Sequence, residues 1–487
     1  HALIYALIRL ADPQATRMGL ADASPAVQRG ALIALDQMEG GGLKREEVLP
    51  LLSSADPATA RAAVRVIQAH TDWAKETLGL LRKWLQEGDA DAGRQELLRG
   101  LLTAFAAKPE VQDVMAQALR SERTSPFLRL LLLEAIARAP VERLPSTWTA
   151  ELRWCLDSDD EKVVRQAVTD LRAARVSEFA PVLLKLAADA NRPKDLRISA
   201  LGAAVPQLGR GGVTPPLLDA DSFSFLCACL GDDQPLVRLS AADVLGQAPL
   251  NLGQLQALAD KVAAAGPLET SCLVAAFEQS SDGRAGQALV QALAHSPGLP
   301  SLSPGALRTA VRNCPAEVRE AAEGLLRKID VGAEEQKKHL TELQSVLNDG
   351  DADKGRIAFF SGRTACSACH TVNGQGGRVG PELSKIGSIR APADLLESIV
   401  YPSATIVRGY ETYIVQTKDG RSFTGLLAHE TADAVFLKTA DRNEVRLARA
   451  DIDSVAPGKQ SLMPQGLEGK MSRDELRDLI AFLRSLK

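Results

Sequence analysis

Two cysteines and a histidine stand close together in the last quarter of the sequence. Cys366 and Cys369 are three positions apart, and His370 follows directly, in a C-x-x-C-H motif. Thiols at this spacing can form thioethers with the two vinyl groups of a haem, and the adjacent histidine can coordinate the iron. A zinc ribbon would need a second C-x-x-C, and a thioredoxin-like site would need a βαβ context. The motif therefore predicts one covalently attached haem c, with His370 as proximal iron ligand.

The second axial ligand of the iron has to come from elsewhere in the chain. Of the five methionines, only Met463 and Met471 follow the motif. Met463 lies in a loop before a helix that a Ser472–Glu475 capping box should start. We expect Met463 to be the distal ligand and Met471 to pack on that helix or face solvent, with His429 as the alternative ligand. A His/Met pair raises the reduction potential and closes the iron to substrates, which favours electron transfer over catalysis.

Other residues around the motif fit a small haem-binding domain. An apolar helix is predicted from about Gly355, and a glycine-rich segment, Gly374–Gly377, reads as a flexible loop. Three longer stretches are CSACHTVNGQGGRVGPELSKIG, LLESIVYPSATIVRGYETYIVQTKDGRSFTGLL and SLMPQGLEGKMSRDELRDLIAFLRSL. They resemble the haem-binding cytochrome c domain of large planctomycete and verrucomicrobial proteins. The resemblance implies that the Pro381 carbonyl accepts a hydrogen bond from the His370 ring and that Leu383 packs on the porphyrin face.

The sequence between the two expected iron ligands changes its hydrophobic period. Residues 412–417 alternate, a turn follows at 418–421, and further strands are predicted at 422–429, 434–439 and 444–447. Asp441-Arg442-Asn443 is the predicted turn between the last two strands. We therefore expect a small antiparallel β insertion over 407–456, which the resemblance also implies. A structural insert is as good an interpretation as one that covers a haem edge or docks a partner.

Residues 1–332 have a different, repetitive pattern. A proline followed by an arginine and an alanine on an apolar helix recurs, as at Pro25, Pro57, Pro193, Pro235 and Pro315. The irregular period of ~30–45 residues is typical of HEAT-like helix pairs, and the resemblance implies the same array. Proline suits the first turn of a helix, and the arginine can bind the neighbouring repeat. This region is expected to be an α-solenoid that either binds a protein partner or acts as a rigid spacer.

The predicted organisation is thus mainly α. It consists of a HEAT-like solenoid over 1–332, a linker helix over 333–349 and a cytochrome c domain over 350–487. The net charge of −4 shows no basic cluster for nucleic acid, and no apolar run reaches the ~18 residues of a membrane span. The chain begins at His1, within a helical pattern, which predicts a fragment or processed form of a longer protein. Relatives often carry an upstream propeller-like dehydrogenase.

These features lead to a functional hypothesis. A mono-haem c would relay electrons from a dehydrogenase, in the same parent protein or a separate one, to a redox partner. Since thioether attachment occurs beyond the inner membrane of bacteria, the protein is expected in the periplasm or otherwise outside the cytoplasmic membrane. The alternatives are a haem enzyme or sensor with an open sixth position, or a scaffold whose main role is protein binding.

The remaining cysteines and histidines lie in no motif for metal binding or nucleophilic catalysis. We expect the five other thiols to be buried and unreactive, and each histidine to be a surface or satisfied core residue. The thiols are Cys155, Cys227, Cys229, Cys272 and Cys314, and the histidines outside the motif are His1, His70, His295, His339 and His429.

Overall fold

The computed structural model describes residues 2–88, 92–139, 144–174, 177–205, 218–329, 333–430 and 434–487. Their packing divides the chain into two compact units, His1–Phe179 and Ala180–Lys487. The predicted domain division remains a proposal, and its boundary at 332 lies outside the described residues.

The first unit consists of helices. These are α1 (Ala2–Leu10), α2 (Pro13–Met18), α3 (Pro25–Gln37), α4 (Arg45–Val48), α5 (Pro57–Ala69), α6 (Ala74–Glu87), α7 (Ala92–Phe105), α8 (Pro109–Arg120), α9 (Pro126–Ala137), α10 (Ser146–Leu156) and α11 (Glu161–Ala174). Short 3-10 turns occupy Gly19–Ala21, Leu49–Ser53, Thr71–Trp73 and Ser177–Phe179.

The second unit starts with more helices of the same kind. These are α12 (Ala180–Ala188), α13 (Lys194–Ala204), α14 (Ala220–Cys229), α15 (Pro235–Gln247), α16 (Leu252–Ala264), α17 (Pro267–Ala275), α18 (Gly283–Leu293), α19 (Pro304–Ala310), α20 (Ala316–Ile329) and α21 (Ala333–Glu342). The region that carries the C-x-x-C-H motif adds α22 (Ala352–Phe360), α23 (Cys366–Cys369), α24 (Ile386–Ile389), α25 (Pro392–Val400) and α26 (Arg473–Ser485). Short 3-10 turns occupy Leu299–Ser301, Gln344–Leu347, Arg449–Asp451 and Glu468–Lys470.

Within each unit the helices stack as a solenoid does. Each helix of a row packs on the second helix along the chain: α3, α5, α7, α9 and α11 form one row, and α13, α15, α17 and α19 another. Proline opens several of these helices at the first turn, where its missing N–H costs no hydrogen bond. Repeat arginines reach forward, as Arg29 pairs with Asp56 at 3.2 Å and Arg238 with Glu269 at 2.7 Å. The helical solenoid-like architecture is as predicted.

Two crossing helices form the frame of the C-terminal region. Helix α22 packs on α26 so closely that a Cβ at Gly355 would lie 1.9 Å from the Asp478 carbonyl oxygen. Beside this crossing, the rings of Phe359 and Phe482 lie 5.6 Å apart. The capping box predicted at Ser472 and Glu475 starts α26, with both of its hydrogen bonds present. Leucines and aromatics from α22, α25 and α26 build one buried core.

The predicted β insertion is present and has one more strand than expected. Its strands are β3 (Thr412–Thr417), β4 (Ser422–Glu430), β5 (Ala434–Lys438), β6 (Glu444–Ala448) and β7 (Ile452–Pro457), in the antiparallel order β6-β5-β4-β3-β7. Strand β7 returns to pair with β3, an edge that the local pattern did not reveal. A separate two-stranded hairpin, β1 (Thr371–Val372) with β2 (Gln375–Gly376), replaces the flexible loop expected after the motif.

Candidate haem site

The C-x-x-C-H motif forms one short helix whose ends are fixed by the chain around it. Helix α23 follows Ala365, which adopts a left-handed backbone at φ 58°. The four carbonyl groups of such a helix have no partners within it beyond the His370 N–H, which bonds to Cys366 O at 3.0 Å. Ser367 O accepts from the Gly377 N–H at 2.9 Å, and Cys369 O accepts from the Val379 and Gly380 N–H groups at 3.1 and 2.9 Å. The two cysteines are therefore held on one turn.

The His370 ring has the orientation that the resemblance implied. Its Nδ1 lies 2.8 Å from the Pro381 carbonyl oxygen, which can only accept, so Nδ1 carries the proton. The lone pair of Nε2 is then free to bind a metal. Burial lowers the pKa of His370 and the Pro381 hydrogen bond opposes this, so the lowered pKa favours the neutral, metal-binding form at pH 7.

Glycines make room for this arrangement. A Cβ at Gly380 would lie 2.5 Å from His370 Cε1, and one at Gly376 would lie 2.1 Å from His370 O. A Cβ at Gly377 would lie 2.0 Å from Ala368 O. The glycine-rich segment thus lets the chain pass directly against the motif and the imidazole.

Both motif thiols are free and half-buried. Burial raises the pKa of Cys366 to about 11, and the pKa of Cys369 is also raised by burial, with the Arg442 charge opposing it. Thiols with raised pKa values are poor metal thiolates and poor nucleophiles. No group of three or more His, Cys, Asp or Glu side chains within the described ranges could hold a metal ion. Two thiols and one free imidazole nitrogen fit a covalently attached haem.

The expected ligands outside the motif occupy two different environments. Met463, Met471 and Leu383 are partly buried and pack, with Cys366, on the same apolar core. The Met463 N–H donates to Ser461 Oγ at 3.1 Å, which shapes the loop. His429 is exposed on the sheet, where its ring stacks on Phe436 at 4.0 Å between centroids. The assignments of Met463, Leu383 and Pro381 to the haem remain predictions.

Sequence reasoning missed the contacts that the β insertion makes with the motif. Arg442 Nε and Nη2 both donate to Ala368 O, at 2.8 and 2.5 Å, and Lys438 Nζ donates to Arg378 O. Arg442 was predicted only as a turn residue. Its partner lies 74 positions away, so no local signal in the sequence could have indicated the contact.

The sequence also gave no sign of a polar cluster near the linker helix. His339 Nδ1 lies 2.9 Å from Tyr401 Oη. Glu468 is close by, since burial and the Glu468 charge both raise the pKa of Tyr401. Two of the thiols expected to be buried, Cys227 and Cys272, are partly exposed because their helices α14 and α17 do not cover them completely.

Comparison with known proteins agrees with the site. Residues 352–440 match the family model for cytochrome c. The cytochrome c domain implies a covalently bound haem c with its iron, and it indicates haem-based electron transfer with redox protein partners. Such domains are typically extracytoplasmic. Met463 lies outside the matched residues.

Two further comparisons add little. No curated protein matches the sequence at a significant level. A solved chain from a structure titled for tubulin recruitment and assembly by microtubule polymerases with TOG domain arrays aligns with 14% identity over 66% of this chain and 82% of its own. Its TM-score of 0.17 is too low to support an argument. Over the described parts of the chain, no helix has the length and apolar character needed to cross a membrane.

Proposed function

We propose that this protein transfers electrons through a single haem c that a HEAT-like solenoid presents. Cys366 and Cys369 attach the haem, His370 is the proximal ligand and Met463 the distal ligand. The observation that supports this most directly is the His370–Pro381 hydrogen bond next to two free thiols on the same turn. When bound, the haem supplies one-electron chemistry through its iron.

The residues of the chain have separate roles in this proposal. The Pro381 carbonyl holds the imidazole in one tautomer and orientation, which keeps Nε2 directed at one position. The buried core under Cys366, Leu383 and Met463 keeps water away from the site. A low dielectric and fixed ligands reduce the rearrangement that accompanies electron gain and loss, which suits a relay rather than a catalyst.

The solenoid gives the haem domain a docking face within the second unit. Arg238 Nη2 donates to Gly362 O at 3.1 Å, and a Cβ at Gly362 would lie 2.3 Å from the Asp233 carbonyl oxygen. A Cβ at Gly466 would meet Pro267 and Pro300 at 3.6–3.7 Å. These contacts support a scaffold role, in which the haem domain is held in one position for its partners. We further propose a periplasmic location, a dehydrogenase as electron donor and a redox protein as acceptor.

Covalent attachment is the first property to test. The full chain is exported to the bacterial periplasm together with the machinery for c-type haem attachment, and haem is stained in denaturing gels. We expect a stained band for the wild type, a reduced band for Cys366→Ala or Cys369→Ala, and none for the double variant. Cys227→Ser, a partly exposed thiol outside the motif, is the matched control and should stain fully.

The coordination of the iron separates a relay from a haem enzyme or sensor. The wild-type ferrous protein should give a low-spin spectrum that carbon monoxide changes only slowly or not at all. Rapid and complete carbon monoxide binding would contradict the proposal and favour an open sixth position. A haem that survives denaturation in the double cysteine variant would contradict the assigned attachment residues.

A further inference from the structure

The β insertion completes the hydrogen bonding of the attachment motif. Three of the four carbonyl groups of α23 accept hydrogen bonds from main-chain N–H groups of residues 370–380. The fourth, Ala368 O, accepts only from the Arg442 guanidinium among the hydrogen bonds of the described residues. A carbonyl at the end of a helix needs a partner, and a charged donor forms a stronger bond than a neutral one. Arg442 is therefore built into the motif.

The turn that carries Arg442, residues 439–443, is shaped for this contact. Arg442 has a left-handed backbone at φ 70°, and its N–H bonds to Thr439 O at 3.1 Å. Asp441 accepts from the Thr439 hydroxyl and the Asn443 amide, which fixes the turn from inside. A side chain at Gly377 would approach Arg442 Nη2 to 2.7 Å, so glycine leaves the space that the guanidinium fills.

A second contact and a neighbouring helix hold the turn in place. Lys438, at the end of β5, donates to Arg378 O on the segment that follows the motif. On the other side, burial raises the pKa of Cys272 in α17, and the Asp441 carboxylate is one of the charges that add to this rise. The turn thus lies between the motif segment and the solenoid, where it has little freedom to move.

We infer that the 439–443 turn is a clamp on the attachment motif, and that Arg442 in it positions α23 and raises the reduction potential of the haem. This inference rests on the proposed haem attachment. The guanidinium lies at the carbonyl between the two cysteines, beside the expected attachment edge. Reduction removes one positive charge from the iron, so a fixed positive charge nearby favours the reduced state. Because Arg442 is exposed, added salt should weaken the effect.

The test compares reduction potentials of full-length holoproteins. Arg442→Gln removes the charge but keeps a donor, and Arg442→Lys keeps the charge but loses the two-donor fork. We expect the midpoint potential to fall in Arg442→Gln, with a difference that shrinks as salt rises, and to stay close to wild type in Arg442→Lys. Arg421→Gln is the matched control, since Arg421 lies in another turn of the same sheet and pairs with Asp419 at 2.6 Å.

The outcomes separate the two levels of the proposal. No covalent haem in the wild type would overturn the proposed function itself. Haem attached normally, but with Arg442→Gln no lower in potential than Arg421→Gln, would overturn only the clamp. Equal, salt-independent shifts in Arg442→Gln and Arg442→Lys would show a purely structural role. If Arg442→Gln yields no holoprotein, Asp441→Asn should raise the potential at the same turn, and an unchanged value would overturn the inference.

Discussion

The two sides of the proposed iron site are built in different ways. On the proximal side, His370 bonds to Pro381, and the turn that carries it is tied to residues 377–380 and to Arg442. On the distal side, Met463 lies in a loop shaped by one hydrogen bond to Ser461 and by packing on the core. A side with many directed contacts is preorganised, whereas a loop with few can rearrange at small cost. The proximal ligand should therefore be permanent and the distal ligand exchangeable.

The largest effect should come from crowding the proximal side. In Gly380→Ala, the new Cβ would lie 2.5 Å from His370 Cε1 and 2.8 Å from Nδ1, which forces the ring away from Pro381. We expect loss of most of the low-spin haem absorption per mole of protein, and destabilisation of about 1–3 kcal/mol from overpacking. The measurement is the visible spectrum of the purified holoprotein, with urea unfolding.

Gly469→Ala on the distal side is the matched control. A Cβ at Gly469 meets no atom within 4 Å, so this variant should keep the wild-type spectrum. A normal spectrum in Gly380→Ala would show that the proximal side is not preorganised, and the comparison would fail.

Removing the distal ligand should have a smaller and more selective effect. Met463→Ala should retain covalent haem, lose the sulfur-to-iron charge-transfer band and bind carbon monoxide rapidly, because the sixth position opens. Met471→Ala, which removes a methionine from the same core, should keep the band. Loss of the band in Met471→Ala alone would transfer the distal role to Met471, and its loss in His429→Ala alone would point to His429.

The same contrast explains what could be predicted from the sequence. The motif helix lies within a segment of 18 residues that ends at Leu383, and its spacing, its proline and its glycines are all local signals. The strands at 412–417 and 444–447 were also predicted, because their alternation is local. Strand β7 and Arg442 were missed because each depends on a partner about 40 to 75 positions away. Such contacts depend on the folded arrangement of the chain, which a single sequence does not display.

A buried carboxyl group tests how far the distal side tolerates imperfect contacts. Glu468 Oε2 has no hydrogen-bond partner among the described residues, and burial raises the pKa of Glu468, with His339 opposing. Because the folded protein holds this proton more tightly than the unfolded chain, stability is lost as pH rises from the ordinary value of 4.5 through the raised value.

Glu468→Gln, which keeps the shape without the charge, should therefore unfold at higher urea than wild type at pH 7 and at the same urea near pH 4. The unfolding is followed by haem absorption. Glu342→Gln, on an exposed position of α21, should change neither value. A wild-type pH profile in Glu468→Gln would mean that the carboxyl group is solvated or paired in solution.

The smallest effect should come from the Met463 loop itself. Ser461→Ala removes the Oγ that accepts from the Met463 N–H at 3.1 Å, a hydrogen bond worth about 1 kcal/mol. If this bond holds the loop closed, its loss should strengthen imidazole binding to the ferric holoprotein by up to about fivefold, since imidazole must displace Met463. Ser388→Ala, an exposed serine on α24, is the control. An unchanged imidazole affinity in Ser461→Ala would mean that core packing alone holds Met463, so the distal side would be less open to exchange than its few directed contacts indicate.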